Sequence, residues 1–162
     1  MAHNTPHIPL DVLARRFQRF AEQEAEPAFS PLYARLCRGI ASDPQVLTLA
    51  AAVPPGQPTP NLLLAAVHYL LLQGIGHPLA AFYPSLTSSP DPSDAYPAFQ
   101  SFCLEYASDI RALLLSRRVQ TNEVARCACL LPAFELVSRQ TARAPLALIE
   151  IGASAGLNLL WD

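Results

Sequence analysis

Near residue 150 a carboxylate, two glycines, a serine and an asparagine are set among apolar residues: Glu150, Gly152, Ser154, Gly156 and Asn158. The apolar run Leu146–Ile151 leads into them after Pro145, and its length and flanks predict a short buried strand. A strand, a tight glycine turn and a helix start are how α/β folds bring backbone N–H groups close to a nucleotide. Glycine at 152 and 156 permits the sharp turn and leaves no Cβ in the path of a ligand. Glu150 can orient that turn or accept a hydrogen bond from the ligand. A different chemistry fits the same residues, because Gly152-Ala153-Ser154-Ala155-Gly156 has the G-x-S-x-G spacing of a hydrolase nucleophile elbow. That mechanism places an acid and then a histidine after the serine. All four histidines (His3, His7, His68 and His77) precede Ser154, so a hydrolase would need a longer chain to complete its triad.

A second polar group is Gln120, Asn122 and Glu123 with Arg126, which could face a pocket beside the strand. The same residues also read as a capped helix start, with Thr121 or Asn122 as cap and Glu123 at the positive end of the dipole. Cys127 and Cys129 stand two apart, and on a helix such residues point to nearly opposite sides, so they do not chelate one ion together. Cys37 and Cys103 have no ligand-spaced neighbour, and all four thiols are expected as buried apolar groups. His68 lies in an apolar helix and His77 precedes Pro78, so both read as packing or capping residues and no metal is expected. Asp91 and Asp94, in a proline-rich loop, read as turn formers.

The elements before this region are helical. Leu10, Leu13, Phe17 and Phe20 recur at helical spacing from about Leu10 to Ala25, with Arg15, Arg16, Arg19 and Glu22 on the rest of the wheel. Ser30-Pro31, Asp43-Pro44 and Thr59-Pro60 each put a side-chain oxygen at a predicted N-cap and a proline at the first helical position. They predict helices over about Pro31–Arg38, Pro44–Val53 and Pro60–Gln73, with Gly39 and Gly74 placed to end two of them in the left-handed conformation. Tyr83 to Tyr96 reads as an exposed loop. Pro97 to Arg117 predicts one long helix with Phe99, Phe102, Tyr106, Ile110, Leu113 and Leu114 as its buried stripe. A last helix, from about Asn122 to Thr141, carries Pro132 inside it. The fold class is therefore mainly α: a multi-helix domain over 1–144, then the first strand and glycine turn of a truncated Rossmann-like domain over 145–162.

Composition agrees with a folded chain. Of 162 residues 51% are hydrophobic and 15% charged, too apolar for disorder. All eleven basic residues are arginine and the formal charge is −2, which gives no electrostatic case for nucleic acid or an anionic membrane. Nothing at Met1–Leu10 resembles a signal peptide, and the longest apolar run, broken at His68, falls short of the roughly 20 residues of a spanning helix. A cytoplasmic protein is expected, with no membrane partner. An isolated strand leaves backbone groups unpaired and the apolar side chains of Leu146 to Trp161 uncovered. In this chain the segment is therefore expected to be disordered, to abandon its strand, or to be covered by a second copy, and a homodimer is expected.

Three strings carry a family resemblance: Ser30-Pro31-Leu32-Tyr33, Gln120-Thr121-Asn122-Glu123-Val124 with Arg126, and Glu150 to Leu159. They resemble a bacterial family known as domain of unknown function 2332, from about Phe17 to Asp162. That family is similar in its C-terminal part to S-adenosylmethionine-dependent methyltransferases, and its members are about twice as long as this chain. The resemblance implies S-adenosylmethionine as cofactor of a longer parent, held by Glu150, Gly152, Ser154, Gly156 and Asn158. It implies neither a methyl acceptor nor a catalytic residue. This chain alone is expected to be catalytically incomplete and to bind no cofactor, since a Rossmann-like site is built from loops after several strands. The alternatives are a non-enzymatic helical interaction domain and, third, the hydrolase on Ser154.

Overall fold

The computed structural model describes residues 8–26, 30–119 and 126–151. Regular structure among them is helical throughout, and the chain divides into two compact units, 1–119 and 120–162.

In the first unit, α1 (Leu10–Phe20) buries Leu13, Phe17 and Phe20 and leaves its arginines in solvent. It runs on into a single π turn, Ala21–Ala25, which the sequence pattern does not distinguish from α-helix. Then come α2 (Pro31–Ala41), α3 (Pro44–Ala50) and α4 (Thr59–Leu72). A 3-10 turn (Pro78–Phe82) leads to the loop before α5 (Tyr96–Glu105) and α6 (Ala107–Ser116). Helix α1 packs on α2, α3 and α4, while α5 packs on α2, α3 and α6, and α6 lies along α4. The core they enclose includes Phe17, Leu36, Ile40, Leu63, Leu64, Phe99, Phe102 and Ile110, all fully buried. Burying a side chain of this size contributes about 1.5–3 kcal/mol, so these contacts carry the unit.

Several local expectations change. Of the three predicted caps only Asp43 acts through its side chain, accepting from the N–H of Gln45 at 2.9 Å and of Val46 at 3.2 Å. Thr59 is instead the first helical residue of α4, because the Pro58 carbonyl already takes the first bond, from Leu62 N–H at 3.0 Å. Ser30 offers its carbonyl to Ala34 N–H at 3.1 Å and makes no side-chain cap. Gly74 does leave α4 in the left-handed region, at φ +87°. Gly39 does not end α2, which continues to Ala41; it is glycine because a Cβ there would overlap the Tyr96 ring. The expected single helix over Pro97–Arg117 breaks at Tyr106, whose φ and ψ of −104° and 27° leave the α region. Its ring is held against Phe102, centroids 4.6 Å apart, and the buried stripe Phe99, Phe102, Ile110 and Leu114 survives across the break.

In the second unit, α7 spans Arg126–Gln140 with Pro132 inside it; the predicted start near Asn122 lies outside the described residues. It ends on Ala142 and Arg143, both left-handed without being glycine (φ 53° and 60°), and Arg143 N–H reaches back to the Ser138 carbonyl at 2.7 Å. Glu135 accepts from Arg139 at 2.7 Å and lies 3.5 Å from Arg143, an exposed cluster that ties this turn to the helix. The strand predicted over 146–151 is not formed, one of the three outcomes expected of this segment in the chain by itself: residues 145–150 have no regular structure and Ile151 lies in a turn. Ile149 and Ile151 are 90% and 96% exposed rather than buried. A strand is held by its ladder partners, and among the described residues there is no second strand to supply them.

Candidate functional site

The residues singled out around the glycine turn divide by position. Glu150 is half-buried in the irregular segment after α7, whereas Gly152, Ser154, Gly156 and Asn158 lie outside the described residues. So do Gln120, Asn122 and Glu123; Arg126 begins α7, and its side chain too is outside the description. Of the cysteines, Cys37 and Cys103 are buried as expected, but Cys129 is exposed, because α7 buries none of residues 128–140. Cys127's side chain is outside the description.

What the structure does bring together is a polar cluster inside the first unit. His68 interrupts the apolar sequence of α4. Its Nε2 lies 2.7 Å from Ser85 Oγ and its Nδ1 3.3 Å from the Tyr33 hydroxyl. The imidazole leans on the Tyr83 ring, centroids 4.8 Å apart, and Tyr33 meets Tyr83 edge-on at 6.3 Å. Burial lowers the pKa of His68, so the ring is neutral near pH 7. Burial, and then Cys37, raise that of Tyr33, which stays a phenol. Tyr83 is pushed up chiefly by burial, and its hydroxyl is buried with no hydrogen-bond partner among the described residues. Cys37 is pushed up to about 12 by burial and then by the charge of Glu24, which makes it an inert thiol. Ser85 is exposed at the start of the loop, where turn bonds from the N–H groups of Leu86 and Thr87 to the Tyr83 carbonyl fix the backbone.

A second polar cluster is structural. Buried Asp43 caps α3 and also accepts from the Tyr96 hydroxyl at 2.8 Å and Gln100 Nε2 at 2.6 Å, joining α3 to α5. Burial pushes its pKa up, but the hydrogen bonds from Tyr96, Val46, Gln45 and Gln100 outweigh that and hold it below the usual value. His77 is a capping and packing residue, as its sequence position suggested: Nδ1 accepts from Leu79 N–H at 3.1 Å and the ring meets Phe102 edge-on. Asp91 and Asp94 form turns, accepting from the N–H groups of Ser93 and Tyr96. Among the described residues no three His, Cys, Asp or Glu side chains converge as a metal site would require, and no helix is long and apolar enough to cross a membrane.

The profile of a family described as "Uncharacterized protein conserved in bacteria (DUF2332)" matches residues 14–162. The chain belongs to that family. No curated protein and no solved structure matches it. Within this DUF2332 chain, sequence alone does not bring the His68 cluster together. Ser85 lies 17 residues and Tyr33 35 residues from the histidine, so no local spacing announces the contacts. The available signal was a lone histidine in the middle of an apolar helix, where a ring with two nitrogens needs partners.

Proposed function

We propose that this chain is the helical part of an S-adenosylmethionine-dependent, methyltransferase-like protein, with Glu150, Gly152, Ser154, Gly156 and Asn158 contributing the cofactor loop. The observation that carries this reading is the order of residues: an apolar run, a carboxylate at its end, then glycines at 152 and 156. That order suits a backbone turn wrapped closely around a nucleotide. The cofactor would supply the methyl group, and alignment of the acceptor in a dry pocket would do most of the catalysis. Gln120, Asn122, Glu123 and Arg126 would line that pocket.

A second reading is a non-enzymatic interaction module, with another copy of the chain as partner. It is favoured by Leu131, Leu136 and Val137, which stand 48%, 58% and 43% exposed on α7. Calorimetric titration of the protein at its full natural length with S-adenosylmethionine separates the two. Saturable binding that Gly152→Val weakens at least tenfold is expected. Absence of binding in a folded sample would leave the interaction module as the reading.

A further inference from the structure

We propose that Ser85 and His68 form a nucleophile–base pair able to accept an acyl group from an activated ester. The parts stand in the required order. A hydroxyl nucleophile on an ordered turn lies 2.7 Å from an imidazole nitrogen, and the other nitrogen of that ring faces a third group, the Tyr33 hydroxyl, at 3.3 Å. Nucleophile, base and positioning group at hydrogen-bonding reach are the general signature of an activated serine. None of these residues belongs to the 120–162 unit, so the inference stands apart from the cofactor reading.

With the proton of the neutral ring on Nδ1, donated to the Tyr33 oxygen, Nε2 keeps its lone pair for Ser85. The hydroxyl then attacks the ester carbonyl. The Oγ–C bond forms, the ester C–O bond breaks, and the Oγ proton passes through Nε2 to the departing alkoxide, which leaves as the alcohol. Water, deprotonated at the same nitrogen, cleaves the acyl-serine to the acid and returns the proton to Oγ. The imidazole is already in its basic form near pH 7 because burial disfavours its cation. The side chains touching it that titrate, Tyr33 and Tyr83, are both raised above their ordinary value and stay neutral through this range. Ser85 is exposed, so a substrate can reach the residue.

The alternative arrangement is a static bridge, in which Tyr33 donates to Nδ1 and Nε2–H donates to Ser85. The two differ in reactivity. A fluorophosphonate reagent, whose phosphorus–fluorine bond breaks as the Oγ–phosphorus bond forms, is applied to the whole chain and the adduct located by mass spectrometry. The expected result is modification at Ser85, abolished by Ser85→Ala and retained in Ser154→Ala. His68→Gln should slow the labelling by about 100-fold or more, the usual scale of a lost general base. Labelling rate against pH should rise through a midpoint below the ordinary histidine value, and Tyr33→Phe should shift that midpoint if Tyr33 positions the ring. Circular dichroism checks that each variant is folded, and exposed Ser85 is the safe site should His68→Gln unfold the chain. A folded wild type left unmodified at Ser85, or equal labelling rates with and without a folded His68→Gln change, overturns the proposal.

Discussion

Helices α4 and α7 are of similar length and both rich in apolar residues, yet they meet opposite environments. α4 buries Leu62, Leu63, Leu64, Ala66, Val67 and Leu71 against α1, α3 and α6. In α7 none of residues 128–140 is buried, and Leu131, Leu136 and Val137 face solvent. Apolar content gives a helix its appetite for a surface; it does not provide the surface. The flanks of α4 are helices whose apolar faces complement it, whereas the apolar residues of α7 are interspersed with Glu135, Arg139 and a mid-helix proline. A helix apolar on all sides belongs inside a core, and one with mixed sides waits for a partner.

Truncating a side chain in each region tests the contrast most sharply. Phe102→Ala, in the first unit's core, should lower the urea unfolding free energy by about 3–5 kcal/mol. Leu136→Ala should change it by no more than about 0.5 kcal/mol. Similar losses in the two variants would mean that α7 is packed in solution and would break the comparison. Next in size is Gly39→Ala, expected to cost about 1–3 kcal/mol because the new methyl must displace the Tyr96 ring; a thermal midpoint at or above wild type would show the α2–α5 contact to be loose. Asp43→Ala should cost about 1–2 kcal/mol through the lost cap and the stranded Tyr96 and Gln100 donors. Because the folded Asp43 pKa lies below its ordinary 3.8, its stabilisation is present above that value. It is lost as pH falls through the lowered folded value. Urea titrations from pH 5 downward should therefore show a shallower acid decline in Asp43→Ala than in wild type.

The sequence made the helices legible through apolar periodicity in α1 and through proline starts in α2 to α4. It was blind where geometry depends on a neighbour distant in the chain. Gly39 looked like a terminator because glycine commonly ends helices, and only the approach of Tyr96 explains its place inside α2. The break at Tyr106 has no proline or glycine to announce it. The ladder that would make 146–151 a strand cannot be read from five apolar residues and Glu150, since pairing is a property of two segments. Among candidate site residues, the order of Glu150, Gly152 and Gly156 could be read from the sequence, although both glycines lie outside the described residues, while the His68 cluster depends on three segments meeting.

The division of the chain at residue 119 also divides its chromophores. All five tyrosines (Tyr33, Tyr69, Tyr83, Tyr96 and Tyr106) belong to the first unit, and the single tryptophan, Trp161, to the second. Tyrosine near-ultraviolet absorbance thus reports the first unit, and indole fluorescence excited near the red edge reports the second. Each unit carries its own optical label without any substitution, so a ligand or partner that engages one of them can be assigned by colour.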